Sequence, residues 1–427
     1  MYAAYYANRR LFILRILIVN SSESVGGAAK SAKRLYQSLL YKDIDVHYLV
    51  DDKTSNDFKI TSPVGKIEKI FKVFRQQLNQ LRLVTYKNRV DAMFSPGISF
   101  TTSSVIKKIH KIDPDIVHLH WVNSGMINIK DLLLIKKPII WTMHDSWLFT
   151  GGCHLPYSCE RYLTECRKCP ILNSKRESDL STKIFQLKKK VFDEISLQVV
   201  TPSNWLLFNS NKSALLQDKT IVKIPNPIET ELYKPIDLNF SREVFRLPKN
   251  NKVIFFGVDS CSKSGDLNKG FQQISEAINL LCLDNVSLLI VGGSKPKDAI
   301  KFKYPSYYLG FLSDDVSIAL AYNCADVVVV PSLSENLSNT IMEGLSCGVP
   351  VVAFNIGGNG DMIEHRKNGY LARPYDTVDL KNGISWVLES ENYNDICQNA
   401  RKKILKEFDH IAVSEQYINL YKNVLNV

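Results

Sequence analysis

PSLSENLSNTIMEGLSCGVPVVAFNIGGNGDMIEHRKNGYLA, residues 331–372, is the stretch on which the fold turns. The apolar run DVVVVPS (326–332) leads into it, and PVVAFN (350–355) lies within it. Both are short, β-branched and without alternation, which suits strands buried on both faces of a parallel sheet. Asn339–Cys347 between them carries a helical pattern. Glu335 then falls in the loop after the first strand, and Glu343 lies about one turn along the helix. The first N–H groups of a helix have no partner within it and can bind anionic oxygens. Two carboxylates flanking such a terminus suit a nucleotide-sugar. The plain alternative is a solvated acidic pair at a helix start. The Gly348-Val349-Pro350 run and the Gly357-Gly358 loop after the next strand argue against it.

The same strand–helix alternation extends in both directions. Upstream, RILIVN (15–20), DVHYLV (45–50), DIVHLHW (115–121), PIIWTMH (138–144), LQVVTPS (197–203) and TIVKIPN (220–226) read as strands. A helix, Ala28–Leu40, follows the Gly26-Gly27 turn. A second series contains KVIFFGV (252–258), VSLLIVGG (286–293), YYLGF (307–311) and GYLARP (369–374), with a helix at Phe271–Leu283. IPNPIETELYKP (224–235) separates the two series. The expected organisation is an α/β chain of two Rossmann-like domains. Residues 1–225 form the first, 226–235 a linker and 236–427 the second, with a terminal helix at 410–425. Residues 1–14 read as an extension, and 150–170 as a Cys-rich loop. Open parallel sheets bind ligands beyond the carboxyl ends of their strands, so the site is expected in a central cleft faced by both domains.

Composition narrows the classes. The 427 residues are 23% charged and 45% hydrophobic, ordinary for a globular chain. No apolar run approaches the ~20 residues of a spanning helix. The net charge of +11 is uneven: residues 1–235 hold 35 basic and 21 acidic side chains, the remainder 19 and 22. Such asymmetry suggests that the first half meets an anionic partner. No aromatic-and-basic module points to nucleic acid. Nine cysteines without a signal peptide suggest a reducing compartment, hence the cytoplasm.

The E-x7-E pattern within PSxxE…E…G-x-PVVA resembles the signature of retaining GT-B glycosyltransferases of family 4. The Gly26-Gly27 turn, the IPNP linker and the terminal helix, which in that plan can cross back to the first domain, fit the same family. The resemblance runs from Arg15 onward. It implies that Glu335 approaches the donor sugar and Glu343 the nucleotide ribose, with backbone near Leu337, Ser338, Asn339 and Thr340 on sugar or phosphate. It also implies that Lys269, before Gly270, meets the donor diphosphate, where an ammonium stabilises the leaving group. The family's usual Arg after this strand is missing; Lys263 is the substitute, without Arg's bidentate geometry. Gly26 and Gly27 are implied near the donor phosphate, and His144 in TMHDSW as the cleft histidine. Asp145 and Trp147 are implied on the acceptor side. Each has a plain alternative: surface lysine for Lys269, packing for His144 and Trp147. His118 and His120 alternate with apolar residues and read as packed core.

Two further segments are singled out. Cys153, Cys159, Cys166 and Cys169 fall together in GGCHLPYSCERYLTECRKCP, and the Cys-x-x-Cys at 166–169 is compatible with a structural zinc. Paired disulfides and free thiols remain open. The stretch around them resembles a branch of family 4 acting in bacterial exopolysaccharide or O-antigen assembly. Residues 66–89 carry Lys66, Lys69, Lys72, Arg75, Arg82, Lys87 and Arg89 against Glu68 alone. Ile67, Ile70, Phe71, Phe74, Leu78 and Leu81 form one helical stripe. That pattern fits a helix lying on an anionic membrane surface, or an ordinary helix with its stripe in the core.

The expected activity is transfer of a hexose, with retention, from a nucleoside-diphosphate sugar to a lipid-linked saccharide. It needs no catalytic metal and places the protein peripherally at the inner face of the cytoplasmic membrane. The alternatives are a non-catalytic sugar-nucleotide-binding protein and a sugar-nucleotide epimerase on the same scaffold.

Overall fold

The computed structural model describes residues 14–63, 65–98, 102–258, 269–293 and 302–427, with only the backbone at 66–69. The chain divides into two compact units. The first comprises the residues up to Pro202, Leu206–Ile224 and Ser414–Val427; the second comprises Ser203–Trp205 and Pro225–Val413.

The first unit is built on a seven-stranded sheet of order β3-β2-β1-β4-β5-β6-β7. Its strands are β1 (Arg15–Ser22), β2 (Asp45–Asp52), β3 (Ile60–Thr61), β4 (Ile116–Leu119), β5 (Ile139–Thr142), β6 (Leu197–Thr201) and β7 (Ile221–Lys223). Every neighbouring pair is parallel. Ile16, Leu17, Ile18 and Val19 are all fully buried, so β1 is covered on both faces, as its unbroken apolar run requires. The order reverses between β1 and β4, which makes their carboxyl ends the switch point of a doubly wound sheet.

The second unit repeats the plan with six parallel strands, β10-β9-β8-β11-β12-β13. These are β8 (Lys252–Val258), β9 (Val286–Gly292), β10 (Ser306–Gly310), β11 (Val327–Val330), β12 (Val351–Phe354) and β13 (Gly369–Ala372). Two apolar cores cover its faces, one containing Val328, Val330, Ile341 and Leu345, the other Val327, Val329, Ile274 and Ile278. The alternation along β11 feeds both. Residues 226–235, read from sequence as a linker, are part of this unit. Ile228 and Tyr233 are fully buried, the Ile228 N–H donates to the Phe408 carbonyl at 2.9 Å, and the Tyr233 hydroxyl donates to Asp315 at 2.8 Å.

The terminal helix His410–Leu425 joins the first unit from Ser414 onward. Tyr417 and Tyr421, one turn apart, are buried on it. The Tyr417 hydroxyl meets Thr142 Oγ1 at 3.0 Å, and the Tyr421 hydroxyl meets His118 Nδ1 at 2.8 Å.

The Lys66–Val84 helix departs from the core-stripe reading. Among its described side chains, Arg75, Asn79 and Leu83 are buried, whereas Ile70, Phe71, Val73, Phe74, Leu81 and Val84 are exposed; the side chain of Ile67 lies outside the described ones. The inversion has a polar cause. Arg75, 2% exposed, donates from Nε to the Gly125 carbonyl at 2.8 Å, and Asn79 Oδ1 accepts the Ile98 N–H at 3.2 Å. Arg75 is therefore not among the charges available to a surface, and Lys72 is engaged by Asp51 (3.5 Å) and Asp52 (3.1 Å). Among the described residues no helix is long and apolar enough to cross a membrane.

Candidate active site

In the second unit the loop after β11 is held between two glycine-bearing segments. Gly270 has φ +67°, and a Cβ there would stand 1.8 Å from the Pro331 carbonyl oxygen. Gly357, φ +52°, faces the Glu335 carbonyl oxygen the same way, at 1.7 Å from an added Cβ. Both positions combine left-handed backbone with direct backbone contact, so only glycine fits. The Gly358 N–H further donates to the Asn336 carbonyl at 2.9 Å.

This packing sets the two charged side chains expected from sequence beside each other. Lys269 Nζ stands 3.5 Å from Glu335 Oε1, at the carboxyl ends of β8 and β11. The Lys269 side chain is 44% exposed and that of Glu335 15%, so the ammonium is open to a ligand. Lys263 lies outside the described residues. Ser338 precedes the Asn339–Ser346 helix and makes no side-chain cap bond to it. Leu337 and Ser338 are buried, while Asn339 and Thr340 are partly exposed. Glu343 is 3% exposed and accepts from the Tyr322 hydroxyl at 3.0 Å. Its carboxylate is thus fixed from an element whose part the sequence did not show.

In the first unit two imidazoles line up behind His144. His118 is fully buried, with Nε2 on Thr142 Oγ1 at 2.8 Å. His120 Nδ1 meets His144 Nε2 at 2.9 Å, the two rings stacked with centroids 5.2 Å apart. Burial drives His144 down to about 4 and His118 to about 3, and holds His120 well below its ordinary value. All three are neutral near pH 7. Half-buried His144 therefore offers a neutral imidazole, which both donates and accepts. His120, read as core, is its direct partner. His118 on β4 and His120 just past its end keep the His-x-His spacing that puts both rings on one side, 4.5 Å apart, a signal the sequence did carry.

Asp145 is bound by His154 Nδ1 (2.6 Å), the Trp121 indole N–H (3.0 Å) and the Trp147 backbone N–H (2.8 Å). Burial raises its carboxyl, but these donors outweigh burial and hold it below the ordinary value. Trp147 is 4% exposed, with its indole N–H on the Ser95 carbonyl at 2.7 Å and the Lys188 ammonium over its ring at 3.5 Å. The geometry gives it a packing role. At the start of the Gly27–Tyr41 helix, Gly26 has φ 92° and ψ 161°, a conformation for glycine alone, and nothing crowds it. The loop before it is pinned by buried Glu23, which accepts the Thr54 and Ser55 N–H groups at 2.7 and 2.9 Å and pairs with Lys33 at 3.0 Å.

Cys153, Cys159, Cys166 and Cys169 line one cavity. The Gly151 N–H donates to Cys166 Sγ at 3.2 Å. Burial pushes the Cys153 thiol up to about 12 and that of Cys169 to about 11. The donor set suits zinc chemically. As arranged, no group of three or more His, Cys, Asp or Glu side chains among the described residues converges to hold an ion.

Two doubly wound parallel sheets, each with polar residues at its strand ends, define a GT-B architecture. Comparison with known proteins carries this further. The model of Glycosyltransferase Family 4 matches residues 25–232, and that of Glycosyl transferases group 1 matches 240–403. The chain belongs to the GT-B glycosyltransferases assembled from these two modules. A putative colanic acid biosynthesis glycosyl transferase of Escherichia coli strain K12 is 25% identical over 329 residues, 73% of this chain and 77% of that protein. An N,N'-diacetylbacillosaminyl-diphospho-undecaprenol alpha-1,3-N-acetylgalactosaminyltransferase of Campylobacter jejuni is 29% identical over 164 residues, 37% of this chain and 42% of that protein. Among solved structures, sucrose-phosphate synthase of Thermosynechococcus elongatus superposes with a TM-score of 0.69 at 17% identity, covering 97% of this chain and 99% of that one.

Proposed function

We propose that this glycosyltransferase moves a hexose, with retention, from a nucleoside-diphosphate sugar to a lipid-linked saccharide destined for a bacterial surface polysaccharide. The observation that carries the reading is the Lys269–Glu335 pair at 3.5 Å beside the Asn339–Ser346 helix start. A carboxylate accepts from sugar hydroxyls, while an ammonium and the N–H groups of a helix start take a diphosphate. In this reading Glu343 holds the ribose, Gly26 and Gly27 admit phosphate, and His144 meets the sugar. The acceptor oxygen attacks the anomeric carbon on the face that the diphosphate leaves. Its proton passes to the departing phosphate oxygen. No catalytic metal is required. The four-cysteine loop is proposed as a structural zinc element, apart from the chemistry.

The lipid-linked acceptor is supported by the Campylobacter relative, whose substrate is a diphospho-undecaprenol. The outward apolar face of the Lys66–Val84 helix supports peripheral contact with a cytoplasmic leaflet.

A panel of nucleotide-sugars tests the donor. A ligand at 100 times its Kd stabilises the fold by about 2.7 kcal/mol, read as a rise in Tm. Hydrolysis of the stabilising donor then separates an enzyme from a binding protein, and NMR of the product's anomeric proton reads retention. A protein that no nucleotide-sugar or free nucleotide stabilises is not what we propose.

A further inference from the structure

The donor-site reading leaves one cavity of the first unit without a task. It lies under the Lys66–Val84 helix, which contributes Gln76, Asn79 and Gln80; Phe94, Ser95 and Asn123 are among the residues opposite. Its volume is about 240 Å³, against the ~10–15 Å³ that one water requires, so it has room for a group larger than ordered solvent. Its polar side chains are amides and hydroxyls, and no described charged side chain lines it.

Asn123 gives the cavity its direction. It is 5% exposed and also lines the smaller cavity formed with His120, His144 and Asp145. Its amide makes no hydrogen bond to any described residue, and neither do the amides of Gln76 and Gln80. Amides donate and accept at once, as sugar hydroxyls do. Ser95 ties the cavity to the same chemistry: its Oγ meets His154 Nε2 at 2.8 Å, and His154 holds Asp145. On its other side, the helix that supplies the glutamines exposes Ile70, Phe74 and Leu81.

We propose that this amide-lined cavity is the sugar subsite of the acceptor. It takes a neutral, hydroxyl-rich ring, which Asn123 turns toward His144. The acceptor's lipid stays with the leaflet that the opposite face of the helix meets. The assignment rests on the transferase reading above and names the substrate class of its second site.

Saturation-transfer NMR on the full chain with UDP present tests it. The probes are glucose, galactose, mannose, N-acetylglucosamine and glucose 6-phosphate. At least one neutral sugar is expected to receive saturation, and more strongly than glucose 6-phosphate. Gln80 is exposed, so Gln80→Trp can fill the cavity without disturbing the core. It is expected to cut the signal at least tenfold, and Asn123→Ala to weaken it, with melting temperatures confirming that both fold. No binding by any neutral sugar, preference for the phosphorylated one, or equal signal in Gln80→Trp overturns the proposal. Stabilisation by UDP is read separately. If UDP binds while no sugar does, the cavity assignment fails alone. If no nucleotide binds, the transferase reading fails, and with it the cavity's role as an acceptor site.

Discussion

Replacing Phe71 and Phe74 by Ser tests whether the Lys66–Val84 helix carries the protein to the lipid-linked acceptor proposed above. The two rings lie on the outward face of the Lys66–Val84 helix, 44% and 47% exposed. Burying a whole such side chain is worth about 1.5–3 kcal/mol, so moving the exposed part of each ring into lipid gives about 1 kcal/mol, or about 2 for the pair. At 1.4 kcal/mol per tenfold, the double variant should partition about thirtyfold less onto vesicles. Its fold should hardly change, because surface substitutions away from special features usually stay within about 0.5 kcal/mol. The assay is flotation with vesicles of phosphatidylethanolamine and phosphatidylglycerol. Lys72→Gln should have a smaller effect, since Asp51 and Asp52 already occupy its ammonium. Binding that survives in the double variant at wild-type strength, or a wild type that never floats, refutes apolar insertion.

Glu335→Gln should lower kcat on the order of a hundredfold with modest change in donor affinity, while Glu343→Gln should weaken UDP binding; steady-state kinetics and calorimetry separate the two, and wild-type turnover in Glu335→Gln would remove the central assignment. Gly270→Ala should destabilise by about 1–3 kcal/mol and impair donor binding, because its methyl meets the Pro331 carbonyl oxygen at 1.8 Å in left-handed backbone; an unchanged Tm would show that the loop yields freely. Stability should be lost as pH falls from about 6.5 toward 4: the unfolded imidazoles protonate there while folded His144 and His118 hold out to about 4 and about 3. Asp51, raised to about 6 by burial, and Asp131, also raised by burial, act in the opposite sense but are two carboxyls against three imidazoles, so a Tm at pH 5 equal to that at pH 7.5 would falsify the sign. Elemental analysis should find about one zinc per chain, lost in Cys166→Ser; metal-free protein with four titratable thiols near the loop would end the zinc proposal.

Sequence and structure diverge where a partner lies on a distant element. The strands were legible because burial on both faces demands unbroken β-branched runs, and their ends shift by only a few residues; β3, two residues at a sheet edge, has no such run. The Lys66–Val84 helix was legible as amphipathic, but periodicity marks two faces without saying which turns inward. That choice depends on Arg75 reaching the Gly125 carbonyl, a contact across fifty residues. Glu343 was legible as a carboxylate on a helix, whereas its burial against Tyr322 was not. The glycines show the limit best. Gly270 and Gly357 could each be read as places where the chain needs positive φ or close approach. What each approaches is a carbonyl of the same PSLSE loop, Pro331 from one side and Glu335 from the other. The spacing of the motif thus records a requirement whose physical meaning is a loop held rigid at both ends. That rigidity sets Glu335 beside Lys269, and it explains why the pattern embedded in its glycines speaks for donor binding where two lone glutamates would not.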